Sequence, residues 1–210
     1  MIFPVIFLFG VLVKETLCVT GLDAIQRVTG KTFRCLIQND FKFFIARVWE
    51  SVGKIDIVGI ENIKSARQSG VQYADGYIFP CLRPGCAPAK NQVEATVNRL
   101  REDKAEIGML WMDIEILEWP SNKEENRRFI EDMVTQAEAM KVKVGIYSNN
   151  NNWEKIVGLD WTAMSKYPLW WTNDNGEANF NGFQPFGGWT QPHIHQYVGS
   201  KKVPAGSRSI

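Results

Sequence analysis

The chain is short of the residues that most often hold metals. It has two histidines, His193 and His195, and four cysteines, Cys18, Cys35, Cys81 and Cys86. The histidines stand two apart, but no nearby carboxylate or cysteine completes a set, so they read as ordinary strand residues and no metal is expected. Neither G-x-G-x-x-G nor G-x-x-x-x-G-K-[ST] follows any strand-like run, so the nucleotide-binding readings lose support and no cofactor is expected. An excess of one charge sign is also missing. Formal net charge is +1, both signs are interspersed, and neither end carries a charged tail. Nothing global therefore directs the chain to nucleic acid or to an anionic membrane. No N-x-[ST] sequon occurs, so N-glycosylation is not expected.

The longest apolar run is Ile2 to Val13, interrupted only by Pro4 and Gly10. It is too short for a membrane span, which takes about 20 residues. It fits the apolar region of a signal peptide, with Thr16 and Cys18 at cleavage positions. A buried first strand is the other reading. The signal-peptide reading makes residues 1–18 a leader and 19–210 one mature domain, secreted to the extracellular space or through lysosomal or vesicular compartments. No membrane association is then expected after the leader is removed, and a monomer is expected. The chain is 45 % hydrophobic and 12 % aromatic, enough for a substantial core.

Cys81 and Cys86 bracket Leu-Arg-Pro-Gly, a turn-forming stretch that brings its ends together. A disulfide there would staple a short loop for about 2 kcal/mol. A metal site is the rival reading, weakened by the lack of a second cysteine pair. Cys35 is left over, either as a buried thiol or as one whose partner is absent from this chain.

Strand and helix patterns alternate. Phe43 to Trp49 is a mostly apolar run of the kind found in buried strands. Ile57, Ile60, Ile63 and Ala66 fall near a helical period within 55–69, ahead of Gly70. Residues 71–79 read as a strand stopped by Pro80. Val93, Val97 and Leu100 share one face of a helix over 91–104. A strand over 107–116 follows. Ser121, with Glu124 three residues on, has the capping-box pattern and opens a helix to about Lys141. Then come a strand over 142–147, a short helix over 152–157, and strands over 169–172 and 194–198. The run Asn149 to Asn152 reads as a turn and helix start, with sugar hydrogen bonding as the alternative. This alternation implies parallel strands joined by crossover helices. An open doubly wound sheet and a closed barrel both satisfy it. A barrel is favoured because Asp23, Glu50, Asp113, Glu115 and Tyr147 fall at strand ends, which a barrel gathers on one face.

The sharpest constellation is Trp111-Met-Asp-Ile-Glu115 within the apolar stretch 108–117. Side chains two apart on a strand share a face, with Cα atoms about 6.5–7 Å apart. Two carboxylates that close, in apolar surroundings, resist full ionisation, so one keeps a proton near neutral pH while the other stays charged. That division of labour is what glycosidic cleavage by a general acid needs. The bland reading is a solvated strand end or a structural ion pair. Glu118, three residues beyond, reads as solvated.

Taken together, several segments resemble glycoside hydrolase family 25, the N,O-diacetylmuramidase lysozymes, and in particular its nematode and amoeba-type members. They are Gly21-Leu-Asp-Ala-Ile-Gln26, Phe43-Phe-Ile-Ala-Arg47, Gly76-Tyr-Ile-Phe-Pro-Cys81, Trp111-Met-Asp-Ile-Glu115, Val144-Gly-Ile-Tyr-Ser-Asn149, Pro168-Leu-Trp-Trp171 and His195-Gln-Tyr197. The resemblance implies a modified (β/α) TIM-like barrel with an acidic groove at the C-terminal ends of its strands, and bacterial peptidoglycan as partner. It implies Glu115 as proton donor, Asp113 as the group that orients the sugar 2-acetamido group, and Asp23 as a further catalytic acid. Tyr147 would lie near that acetamido group. Tyr77, Trp170, Trp171 and Gln196 would serve the substrate, although core packing is the alternative for any of the eight tryptophans. The chain departs from the family in its tail, Val198 to Ile210, which has no Asp or Glu where the family carries a further acid. An incomplete last strand is therefore expected. Nematode relatives also tend to carry a tail cysteine, a candidate partner for Cys35. A chitin-directed barrel with D-x-x-D-x-D-x-E is disfavoured, since residues 108–112 hold no acid.

Overall fold

The computed structural model describes residues 19–199. The leader expected at residues 1–18 and the tail from residue 200 lie outside the described residues. Seven parallel strands form one curled sheet in the order β1 (Thr20–Ala24), β2 (Phe41–Glu50), β4 (Tyr73–Ile78), β5 (Leu110–Asp113), β6 (Val144–Ser148), β7 (Leu169–Thr172) and β8 (Ile194–Gln196). A two-residue strand, β3 (Lys54–Ile55), pairs antiparallel with the end of β2. The helices are α1 (Gly30–Gln38), α2 (Ile57–Gln68), α3 (Ala89–Glu102), α4 (Lys123–Ala139) and α5 (Asn150–Ile156). This is the TIM-like arrangement, with the strand–helix alternation ending after α5. The connection from β7 to β8 carries no helix.

Alternation along β2 explains the layers. Phe44, Ala46 and Val48 face outward into the core under the helices, together with Ile60, Ile63 and Ala66 of α2. Ile45, between them, faces inward and packs with Trp111 and Trp170 inside the curl, where Phe43, Tyr77, Met109, Tyr147 and Ile194 join it. Among the described residues β8 forms no backbone ladder with β1. The two edges meet through a side chain instead: Gln196 Nε2 donates to Asp23 Oδ1 at 3.0 Å.

Several local details differ from the sequence reading. The helix expected from Ser121 is capped by Asn122, whose side chain accepts from the amides of Glu124 and Glu125. Its amide donates to Glu125 Oε1 at 2.9 Å, so the reciprocal cap is displaced by one residue. The strand expected over 107–116 keeps only Leu110–Asp113. Ile114 still donates to the Tyr147 carbonyl at 2.9 Å, after which the chain leaves the sheet. Helix α1 was not anticipated, although Thr29 caps it and Phe33 and Leu36 are its buried contacts. Cys81 and Cys86 form the expected disulfide. Cys35 is half-buried on α1 and forms no disulfide among the described residues.

Asp56 joins this scaffold to the inside of the barrel. It caps α2 by accepting from the Gly59 amide at 3.2 Å, and it binds Arg47 Nε at 2.8 Å. Gly59 lets the helix lie directly on the strand, since a Cβ there would stand 1.6 Å from the Arg47 carbonyl oxygen. Gly59→Ala should therefore destabilise the fold by about 2–3 kcal/mol, because overpacking exceeds the helix-propensity gain of about 1 kcal/mol. Urea unfolding checks this; a variant as stable as the parent would show that α2 does not rest on β2 as described.

Candidate active site

The strands deliver their functional side chains to the concave face at their C-terminal ends. Asp23 comes from β1, Arg47 from β2, Tyr77 from β4, Asp113 from the last position of β5, Tyr147 from β6 and Gln196 from β8. Glu115 follows two residues after Asp113, beyond the strand. Its position is fixed by backbone contacts on either side. Trp119 Nε1 donates to the Glu115 carbonyl at 2.9 Å, and the Ile116 amide donates to Asn152 Oδ1 at 3.3 Å. Asn152 is itself placed by Asn149, the cap of α5, whose Oδ1 accepts from the Asn152 amide at 2.9 Å. The asparagine run thus opens a helix and steadies the loop that carries Glu115.

Asp113 lies deepest. It is 5 % exposed, and its buried Oδ1 has no hydrogen-bond partner among the described residues. Burial pushes its carboxyl well above the ordinary range; the nearby Glu115 and then Asp23 add to the rise, and Arg47 opposes it. Glu115 is raised by burial as well. Asp23 is raised by burial, against the opposing hydrogen bond from Gln196. Tyr77 and Tyr147 are held neutral by burial and by the surrounding carboxyls. The Asp113–Glu115 pair shares its protons as a unit. Of the two, Asp113 is the more deeply buried and is pushed up further.

The remaining candidates divide. Trp170, 4 % exposed, is an aromatic hub under the site, with Tyr147, Trp111 and Tyr77 at ring-centroid distances of 4.7, 5.8 and 6.2 Å. Trp171, 6 % exposed, stacks on His195 at 4.2 Å. Neither tryptophan exposes more than 6 % of its surface, so each serves mainly the barrel's own packing. Tyr77 is half-buried, with its ring edge-on to Trp170. Gln196 is hydrogen-bonded to protein groups at both ends of its amide. Tyr147 and Thr172 donate to its Oε1 at 2.9 and 3.1 Å. Glu50 pairs with Lys54 at 3.4 Å rather than with the acids. The ring nitrogens of His195 face the carbonyl oxygens of Asn179 and Asn173 at 2.5 and 2.9 Å, a structural role. Among the described residues no group of three or more His, Cys, Asp or Glu is arranged to hold a metal ion.

Three contributors were given no role beside the acids in the sequence, although Asn152 lies in the run read there as a turn and helix start. Arg47 supplies the positive charge that opposes the rise at Asp113. Asp75 anchors the barrel floor, accepting from the Met109 amide at 2.9 Å and from Trp111 Nε1 at 3.0 Å. Asn152 braces the Glu115 loop. Only Asp75 had a usable signal: it shares strand parity with Tyr77, an inward residue.

A carboxyl that resists ionisation in the folded state favours folding only while it is protonated. That advantage disappears as pH climbs from the ordinary carboxylate range towards the raised folded value. Asp113→Asn should therefore melt higher than the parent at pH 7, by about 2–4 °C for each kcal/mol recovered, with the gap closing below about pH 4. Calorimetry across pH checks this; equal melting temperatures at pH 7 would mean that the carboxyl is not strained by burial.

A family model described as lysozyme-like protein 1 matches residues 14–197. Lysozyme-like protein 5 of Caenorhabditis elegans is 45 % identical over 186 residues, covering 89 % of this chain and 86 % of that protein. Probable GH family 25 lysozyme 2 of Dictyostelium discoideum is 35 % identical over 189 residues, covering 90 % and 88 %. Among solved structures, the muramidase from Acremonium alcalophilum has the same fold, with a TM-score of 0.70 at 19 % identity over 91 % of each chain. The modular autolysin LytC from Streptococcus pneumoniae, solved in complex with a synthetic peptidoglycan ligand, has a TM-score of 0.65 at 17 % identity over 88 % of this chain and 43 % of that one. With the model and both relatives matched over most of its length, the chain belongs to the lysozyme-like proteins of glycoside hydrolase family 25.

Proposed function

We propose that this protein is a secreted muramidase that hydrolyses the β-1,4 bond between N-acetylmuramic acid and N-acetylglucosamine in bacterial peptidoglycan, serving antibacterial defence or digestion. The observation that carries the reading is Asp113 Oδ1, a buried carboxyl oxygen without a partner, beside a second carboxyl that is partly open to the cleft. An acceptor left unsatisfied at such depth is suited to a donor that arrives with the ligand. The N–H of a 2-acetamido group is such a donor.

Binding then moves the proton. An N–H donated to Asp113 stabilises its ionised form. A sugar covering Glu115 removes water from it and stabilises its protonated form. The proton of the pair passes to Glu115, which delivers it to the glycosidic oxygen as the C1–O bond breaks. The acetamido oxygen, oriented by Asp113, bonds to C1 and carries the positive charge into its ring. Water then adds at C1, the acetamido oxygen leaves, and Glu115 takes up the proton of that water. Asp23 and Tyr147 complete the polar wall. The likeness in fold to an autolysin solved with a peptidoglycan ligand supports the substrate class. The apolar leader-like run and the Cys81–Cys86 disulfide support an oxidising, secretory route.

One observation favours a second reading, a wall-binding protein of weak or absent activity: the segment Val198 to Ile210 contains no acid. The test separates the two. Turbidity loss of bacterial walls should be readily measured for the parent and should fall by about 10²–10⁴-fold in Glu115→Gln, with wall binding retained. A well-folded parent that binds walls without hydrolysing them would establish the second reading, and an unchanged rate in Glu115→Gln would remove Glu115 from the acid role.

A further inference from the structure

Among the described residues the side chain of Gln196 bridges the two edges of the curled sheet, and its amide uses both of its ends. Nε2 donates to Asp23 Oδ1 at 3.0 Å. Oε1 accepts from the Tyr147 hydroxyl at 2.9 Å and from the Thr172 hydroxyl at 3.1 Å, which fills both of its lone pairs. The orientation of the amide follows from chemistry. Turned over, its oxygen would face the Asp23 oxygen, setting two acceptors against each other whenever Asp23 is ionised. The backbone beneath is rigidly held: Gln196 pairs with Thr172 in the sheet, and its carbonyl accepts from the Asn173 amide at 3.1 Å. Next to it, His195 is clamped between Trp171 and two loop carbonyls.

We propose that Gln196 is a positioning residue whose single amide sets both the orientation of the Asp23 carboxylate and the hydrogen-bond polarity of the Tyr147 hydroxyl. The two settings are linked. Because Oε1 takes the hydroxyl hydrogen of Tyr147, that hydroxyl presents only lone pairs to the cleft and acts there as an acceptor. Because Nε2 donates to Asp23, the carboxylate is held against the burial that favours its protonated form. A neutral amide can do both; a carboxylate, an ammonium or an apolar side chain at this position cannot. The catalytic consequence rests on the muramidase reading above, whereas the hydrogen-bond roles do not.

Gln196→Glu keeps the acceptor for Tyr147 and Thr172 but removes the donor and sets a second acid against Asp23. Gln196→Leu removes both functions. The Asp23 carboxyl, followed by ¹³C NMR, should titrate about one pH unit higher in each variant, and the acid limb of the kcat/KM profile on cell walls should move up with it. In the parent protein one Gln196 side-chain N–H should lie downfield and move with the Asp23 titration, a reading that requires no variant to fold. A parent amide indifferent to Asp23, or variants that lose rate with the Asp23 midpoint unmoved, would overturn the assignment and leave Gln196 as packing. A parent that hydrolyses no cell wall would instead overturn the muramidase reading, with the Gln196 assignment still decided by the NMR titration.

Discussion

A carboxyl sunk to 5 % exposure with one oxygen unbonded is a large local cost, and the site is arranged around it. Asp113 ends β5 in the middle of the sheet, where neighbouring strands exclude water from every side but the cleft. Its charge is answered by Arg47, which is partly committed to Asp56 and the start of α2. Burial favours its protonated form, and in the proposed reaction a donor on the ligand would satisfy the unbonded oxygen instead. In the proposed function, cost in the ground state and affinity for an acetamido group would be two sides of one arrangement.

The scaffold spreads the task over distant segments. Asp56 caps a helix and fixes the cation. Asp75 orients Trp111, which packs on Trp170, which in turn supports Tyr147 and Tyr77. Asn149 caps α5 and places Asn152 against the loop of Glu115. The edges of the sheet meet where Gln196 reaches Asp23, so closing the curl and shaping the site are the same act. Rigid elements carry the reacting groups, and short polar side chains adjust them.

Much of this was legible in residue order. The apolar run of β2 and the helical spacing of Ile57, Ile60, Ile63 and Ala66 place the strand and the helix that covers it, because burial leaves a trace in residue order. The carboxylate pair was legible too, since two acids in an apolar strand have few structural uses. Other features leave no such trace. In a parallel barrel both strand faces are apolar, so Trp170 and Trp171 looked alike whether buried under the site or open to it. The end of β5 is set by where its neighbours stop pairing, which apolar content alone does not reveal. Gln196 and Asp23 are 173 positions apart, and only the curl of the sheet makes them neighbours.

The account turns on a proton that changes owner when ligand binds. A ¹³C-carboxyl NMR titration of Asp113 and Glu115, with and without a saturating N-acetylglucosamine oligomer, reads this directly. Asp113 should hold its proton to the higher pH in the free protein, and the ligand should lower its midpoint while raising that of Glu115. An Asp113 that ionises in the ordinary carboxylate range without ligand, or an order of titration that saturating ligand leaves unchanged, would contradict it.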